Sequence, residues 1–99
     1  MITYIRTAVA LSGKSLEFVG FAKEMAEIIG RVTGVKPAVA TAFGGNANEV
    51  VWISQAESFS QMEETLAKLV ADPDYRAGLK KAEHLAVPGM TRDHFWRHI

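Results

Sequence analysis

Apolar residues recur along the chain in two rhythms, a period of two and a period near 3.6, and the changes between them mark the elements. Residues 2–11 (ITYIRTAVAL) are rich in Ile, Thr, Tyr and Val, side chains that suit a pleated surface, and predict a first strand. Ser12-Gly13-Lys14-Ser15 then supplies turn chemistry, with Ser12 or Ser15 available to cap a helix. Phe18, Phe21, Ala22, Met25, Ile28, Ile29 and Val32 follow at steps of three and four. They form one apolar face of a helix over residues 15–33, with Glu17, Lys23, Glu24 and Glu27 largely outside it. Gly34 stands where a glycine C-cap belongs.

A second strand is predicted over residues 38–43, after Lys36-Pro37, and a third over residues 49–54. Between them Gly44-Gly45-Asn46-Ala47-Asn48 is a strong turn signal, so the two strands read as an antiparallel hairpin. Ser58-Phe59-Ser60-Gln61 has the spacing of a capping box, and Met62, Leu66, Leu69 and Val70 continue a helical stripe to Ala71. Asp72-Pro73-Asp74 starts a further short helix, because Asp caps well and Pro is tolerated at the first helical position. Tyr75, Leu79 and Ala82 mark its expected inner face. Pro88-Gly89 breaks the chain, and Met90 to Ile99 are assigned to a last strand.

The order strand, helix, strand, strand, helix, strand is a ferredoxin-like βαββαβ arrangement of the α+β class, with a four-stranded antiparallel sheet. With two helices, such a sheet has cover for only one face. A face left to water should alternate apolar with polar residues. Here Val50, Val51, Trp52 and Ile53 are apolar on both parities, and the first strand carries Tyr4, Ala8 and Ala10 on one side and Ile5, Val9 and Leu11 on the other. Two chains stacking their open sheets about a two-fold axis would bury both faces, so a homodimer is expected over the alternative, a monomer whose open face tolerates some exposed aliphatics.

Composition narrows the function classes. The 99 residues are expected to form one domain, residues 1–99. Eleven basic residues balance eleven acidic ones, which removes the electrostatic reason for a nucleic-acid or anionic-membrane partner. No cysteine is present, so disulfide frameworks, thiolate metal sites and cysteine nucleophiles are excluded together. Met1-Ile2-Thr3-Tyr4-Ile5-Arg6 lacks the basic start and continuous apolar run of a signal peptide, and no stretch reaches the ~20 apolar residues of a membrane span. A cytoplasmic location is the expectation.

Short pieces distributed along most of the chain carry a resemblance. They are Tyr4-Ile5-Arg6-Thr7, Gly13-Lys14 with Phe18 following, Val50-Val51-Trp52, Glu57-Ser58-Phe59, Asp72-Pro73-Asp74-Tyr75 and Val87-Pro88-Gly89. In this order they resemble the dimeric α+β barrels, and within them the NIPSNAP-like proteins. Ala8 departs from the pattern, which usually has an aromatic residue two after the arginine. The resemblance implies a dimeric α+β barrel. It spans relatives as different as cofactor-free oxygenases of polycyclic aromatics, haem-degrading enzymes and lactone isomerases, so fold alone does not fix function.

Candidate chemistry is sparse. Arg6 is a cation in an otherwise apolar strand and requires a partner, either a ligand oxygen or an acid such as Glu49 or Asp93. Tyr4 and Trp52 could line a flat pocket for a small hydrophobic ligand, with Met25 and Met62 softening it, or could simply fill the core. His84, near the end of the short helix, suits the negative helix terminus and could alternatively move protons or ligate a metal. His94 and His98 are four apart, but on a strand they share with Arg92 and Trp96 a solvent or subunit-contact face, and no metal site is expected. No phosphate loop or nucleophile elbow appears, and no cofactor is called for. The expected function is a homodimer that binds a small hydrophobic ligand or acts through association itself. The alternative is a cofactor-independent monooxygenase or isomerase of an aromatic or enolic molecule, with Arg6 and His84 as catalytic candidates and Tyr4, Arg6 and Trp52 as ligand contacts.

Overall fold

A computed structural model describes residues 1–99, and its elements run β1 (Ile2–Val9), α1 (Ser15–Thr33), β2 (Ala38–Thr41), β3 (Glu49–Ala56), α2 (Phe59–Ala71), α3 (Pro73–Ala82) and β4 (Arg92–Arg97). The strands form one antiparallel sheet in the order β2-β3-β1-β4, the ferredoxin-like α+β arrangement. No helix is long and apolar enough to cross a membrane.

Local chemistry explains most of the boundaries. Gly34 ends α1 in the left-handed region, φ 81°, and its N–H donates to the Gly30 carbonyl. At the start of α2 the Ser58 side chain accepts from the Gln61 N–H, while the Gln61 side chain accepts from the Glu57 N–H. Asp72 both closes α2 and opens α3, accepting from the Tyr75 N–H with Pro73 in the first turn. That amide, followed by Arg31, holds the Asp72 carboxyl below its ordinary range.

Three expectations need correction. Neither Ser12 nor Ser15 caps α1. The cap position is Lys14, which makes no side-chain cap, and the Ser15 hydroxyl is turned to the Asn48 side chain, tying α1 to the β2–β3 connection. The inner face of α3 is Tyr75, Gly78 and Ala82, while Leu79 is exposed. The reason is close approach to α1: a Cβ at Gly78 would sit 2.2 Å from Met25 Sδ. On α2 only Leu69 is buried, whereas Phe59, Leu66 and Val70 are each more than half exposed.

All three helices lie on one side of the sheet. The core there joins Ala8, Ala10 and Val50 to Phe18, Phe21, Ala22 and Met25 of α1, with Leu69 and Tyr75 closing it. Cross-strand pairing assigns the two faces. Tyr4, Arg6 and Ala8 pair with Ser54, Trp52 and Val50, so these residues face the helices. Thr3, Ile5, Thr7, Val51, Ile53 and Gln55 face the other way, and no element of the chain covers them.

Candidate functional site

Register brings Tyr4, Arg6, Asp93 and Phe95 together on the helix side of the sheet, since Arg6 pairs with Asp93 and Tyr4 with Phe95 across β1 and β4. Arg6 donates from Nε to Asp93 Oδ1 at 2.7 Å and from Nη2 to Asp93 Oδ2 at 2.9 Å, a two-pronged pair. The Tyr4 hydroxyl donates to the same Oδ1 at 2.9 Å. The guanidinium carbon also stands 6.0 Å from the Tyr4 ring centroid. The acid that meets Arg6 is therefore Asp93. Glu49 pairs with Val9 and belongs to the opposite face.

Electrostatics within this group are mutually consistent. The Arg6 pair holds the Asp93 carboxyl below the usual carboxylate range, against the opposing effect of burial. Arg6 in turn is held more firmly protonated by its hydrogen bonds to Asp93. Burial pushes the Tyr4 hydroxyl up, with the Arg6 charge partly opposing that shift. At neutral pH the group is thus a cation, an anion and a neutral phenol, and none of the three is poised to exchange a proton.

Aromatic rings border the charged group. Tyr4 stacks on Phe95 with centroids 4.9 Å apart and planes 4° apart. Phe59, at the start of α2, tilts against the other ring at 6.0 Å and 57°. Phe59 and Phe95 are about half exposed, at 53% and 49%. From Phe59 an exposed apolar stripe continues along α2 through Leu66 and Val70, seven and eleven residues on and so near one helical azimuth. The result is a half-open aromatic shelf. Two surface grooves of about 300 Å³ and 310 Å³ lie elsewhere, one between α1 and α3 and one beside residues 86–91.

The remaining candidate residues are dispersed. Trp52 faces Arg6 across the β1–β3 pairing, but α1 lies over it. Its indole N–H donates to the Ala22 carbonyl at 3.1 Å, and its ring meets Phe18 edge-on at 6.1 Å. His84 lies in the turn after α3, exposed, beside the Leu11 end of β1 and apart from the shelf. Phe59 and Phe95 escaped the sequence reading. The available signal was parity: if Arg92, His94 and Trp96 share the open face, Asp93 and Phe95 must share the face with Arg6.

The structure gives Arg6→Met a defined outcome. The pair is roughly one-third exposed on each side, with side-chain exposures of 37% and 32%. Its loss should therefore cost about 1–2 kcal/mol by thermal or urea unfolding, less than the ~3–5 kcal/mol of a fully buried pair. A depressed carboxylate stabilises the fold above its unfolded value, near pH 4, and that contribution is lost as pH falls through the lower folded value. Arg6→Met should flatten this acid limb, whereas Arg6→Lys should restore part of it.

No protein-family model matches the chain, and no curated protein does. Solved structures do. A NIPSNAP domain protein from Burkholderia xenovorans superposes with a TM-score of 0.85 at 21% identity, over 100% of this chain and 95% of that one. A NIPSNAP family protein of unknown function from Agrobacterium tumefaciens gives 0.83 at 23% identity, over 99% and 87%. SnoaB, a cofactor-independent oxygenase from Streptomyces nogalater, gives 0.72 at 14% identity, over 98% and 91%. At these identities the likeness establishes the fold, which the chain shares with the NIPSNAP domain proteins and more distantly with this oxygenase.

Proposed function

We propose that the protein is a homodimer that holds a small hydrophobic ligand on the shelf formed by Tyr4, Phe59 and Phe95, binding it without turnover. One observation carries the ligand reading: Phe59 and Phe95 meet each other half exposed, in continuity with the exposed Leu66 and Val70. Large apolar surface left in water is unfavourable by about 25 cal/mol per Å², so an apolar occupant is stabilised there. Binding is favoured over catalysis because Arg6, Tyr4 and Asp93 are already committed to one another.

The dimer reading follows from the opposite face. With eight residues in β1 and β3, four in β2 and six in β4, strands at ~4.8 Å spacing and ~3.3 Å per residue give that face about 400 Å² in projection. Accessible area exceeds projected area, and a stable complex buries ~800 Å² of it per partner, so the side chains and flanking loops of the face contribute to the contact. Ile5, Val51 and Ile53 form its apolar centre. Stacking two such faces would close the pair of sheets into a dimeric α+β barrel.

Native mass spectrometry of the purified protein tests the ligand reading directly. A bound small molecule is expected on the wild type and is lost on organic extraction. Phe95→Ala should reduce occupancy several-fold while leaving the fold intact. A protein that takes up no probe of exposed apolar surface, with 1-anilinonaphthalene-8-sulfonate as the trial compound, and that loses nothing in Phe95→Ala would overturn it.

A further inference from the structure

The open face carries few charges, and their distribution has a consequence. β1 contributes Thr3, Ile5 and Thr7, and β2 contributes Ala38 and Ala40, none of which ionises. β3 contributes Val51, Ile53 and Gln55, with Glu49 at the far corner opposite Val9. β4 contributes Arg92, His94 and Trp96. His98, just beyond β4, bonds the Thr3 hydroxyl at 2.6 Å at the other end. His94 lies directly across from Ile5, which lies directly across from Ile53, so the imidazole completes the central apolar row of the face.

From these positions we infer that His94 makes self-association acid-sensitive, an inference that rests on the dimer proposed above. Imidazole is the side chain that ordinarily changes charge between pH 5 and 8. Neutral, it can lie against Ile5 and accept cover from a second copy. Protonated, it would have to be desolvated as a cation in that same row. The groups able to offset this charge are few. Arg92 flanks it with the same sign, and His98 stands at the other end of the face against Thr3. Asp93, next in the chain, attracts a charge on His94, but it points to the opposite face, is held by Arg6, and acts in the separated chain and in the dimer alike. Glu49 is four residues, or about 13 Å, along β3 from the row. The separated chains therefore bind protons in preference to the dimer, and the dimer weakens as pH falls through the imidazole range. A two-fold axis places one His94 from each copy at the interface, which doubles the effect.

Sedimentation velocity with fluorescent detection, from nanomolar to micromolar at pH 7.5 and 5.5, tests the inference. Each proton taken up on dissociation changes Kd by up to tenfold per pH unit, so weakening by about tenfold or more is expected in the wild type. His94→Gln, at an exposed position, should keep the dimer and lose most of that dependence, and His94→Asn serves as a second neutral replacement. Circular dichroism at both pH values separates dissociation from unfolding. Equal Kd at the two pH values overturns the inference and leaves the dimer standing. Equal weakening in both His94 variants overturns it as well, because the acid response would then belong to another group. A wild-type monomer at pH 7.5 overturns the dimer and the inference together.

Discussion

Trp52→Ala is expected to lower stability by about 3 kcal/mol, the usual cost of truncating a large aromatic side chain within a core. Three losses combine at this one position. The Phe18 ring, 1% exposed, loses its edge-on partner, the Ala22 carbonyl loses the indole donor, and a void opens beneath α1. Trp52→Phe separates these terms. It restores most of the apolar contact and leaves only the lost hydrogen bond, worth about 1 kcal/mol. Chemical denaturation of the two variants measures the difference. Wild-type stability in Trp52→Ala would mean that Trp52 contributes little to the core despite its position.

Ile53→Asp should act on assembly with little effect on the fold. Ile53 is 36% exposed in the single chain and sits in the middle of the uncovered face, so an isolated chain can keep the carboxylate hydrated. In a face-to-face dimer the two-fold axis would bring two such carboxylates into an apolar interface. Burying them there costs several kcal/mol, and each 1.4 kcal/mol weakens binding tenfold. Light scattering should report a mass near twice 10.8 kDa for the wild type and near 10.8 kDa for the variant. An unchanged mass for the variant would place the subunit contact elsewhere on the surface. His94 shares the row of Ile53, so the two substitutions probe one interface, by a fixed charge and by a titratable one.

Both expectations trace back to strand parity. The order of elements, the helix over residues 15–33 and its Gly34 cap were legible in the sequence because each depends on contacts within a few residues. The same holds for the Ser58 and Asp72 caps and for the hairpin between β2 and β3. Propensity, capping and periodicity are local properties, so a local pattern suffices to write them. Arg6 was likewise conspicuous as the only charge in the first strand, and its need for a partner followed from the cost of leaving a cation alone in an apolar setting.

Which partner it takes is a different kind of fact. Asp93 is 87 residues away along the chain, and only the β1–β4 register brings it opposite Arg6 and brings Phe95 opposite Tyr4. Likewise, Gly78 became an inner-face residue, and Leu79 an outer one, through the approach of α3 to Met25 on α1. The sequence by itself determined the elements and the two-sided apolar character of the strands. Tertiary structure alone decided which apolar residues are covered, which stay open at the shelf and which charges meet. Those outcomes depend on register and on interhelical distance, and both are set by the packing of the whole chain at once.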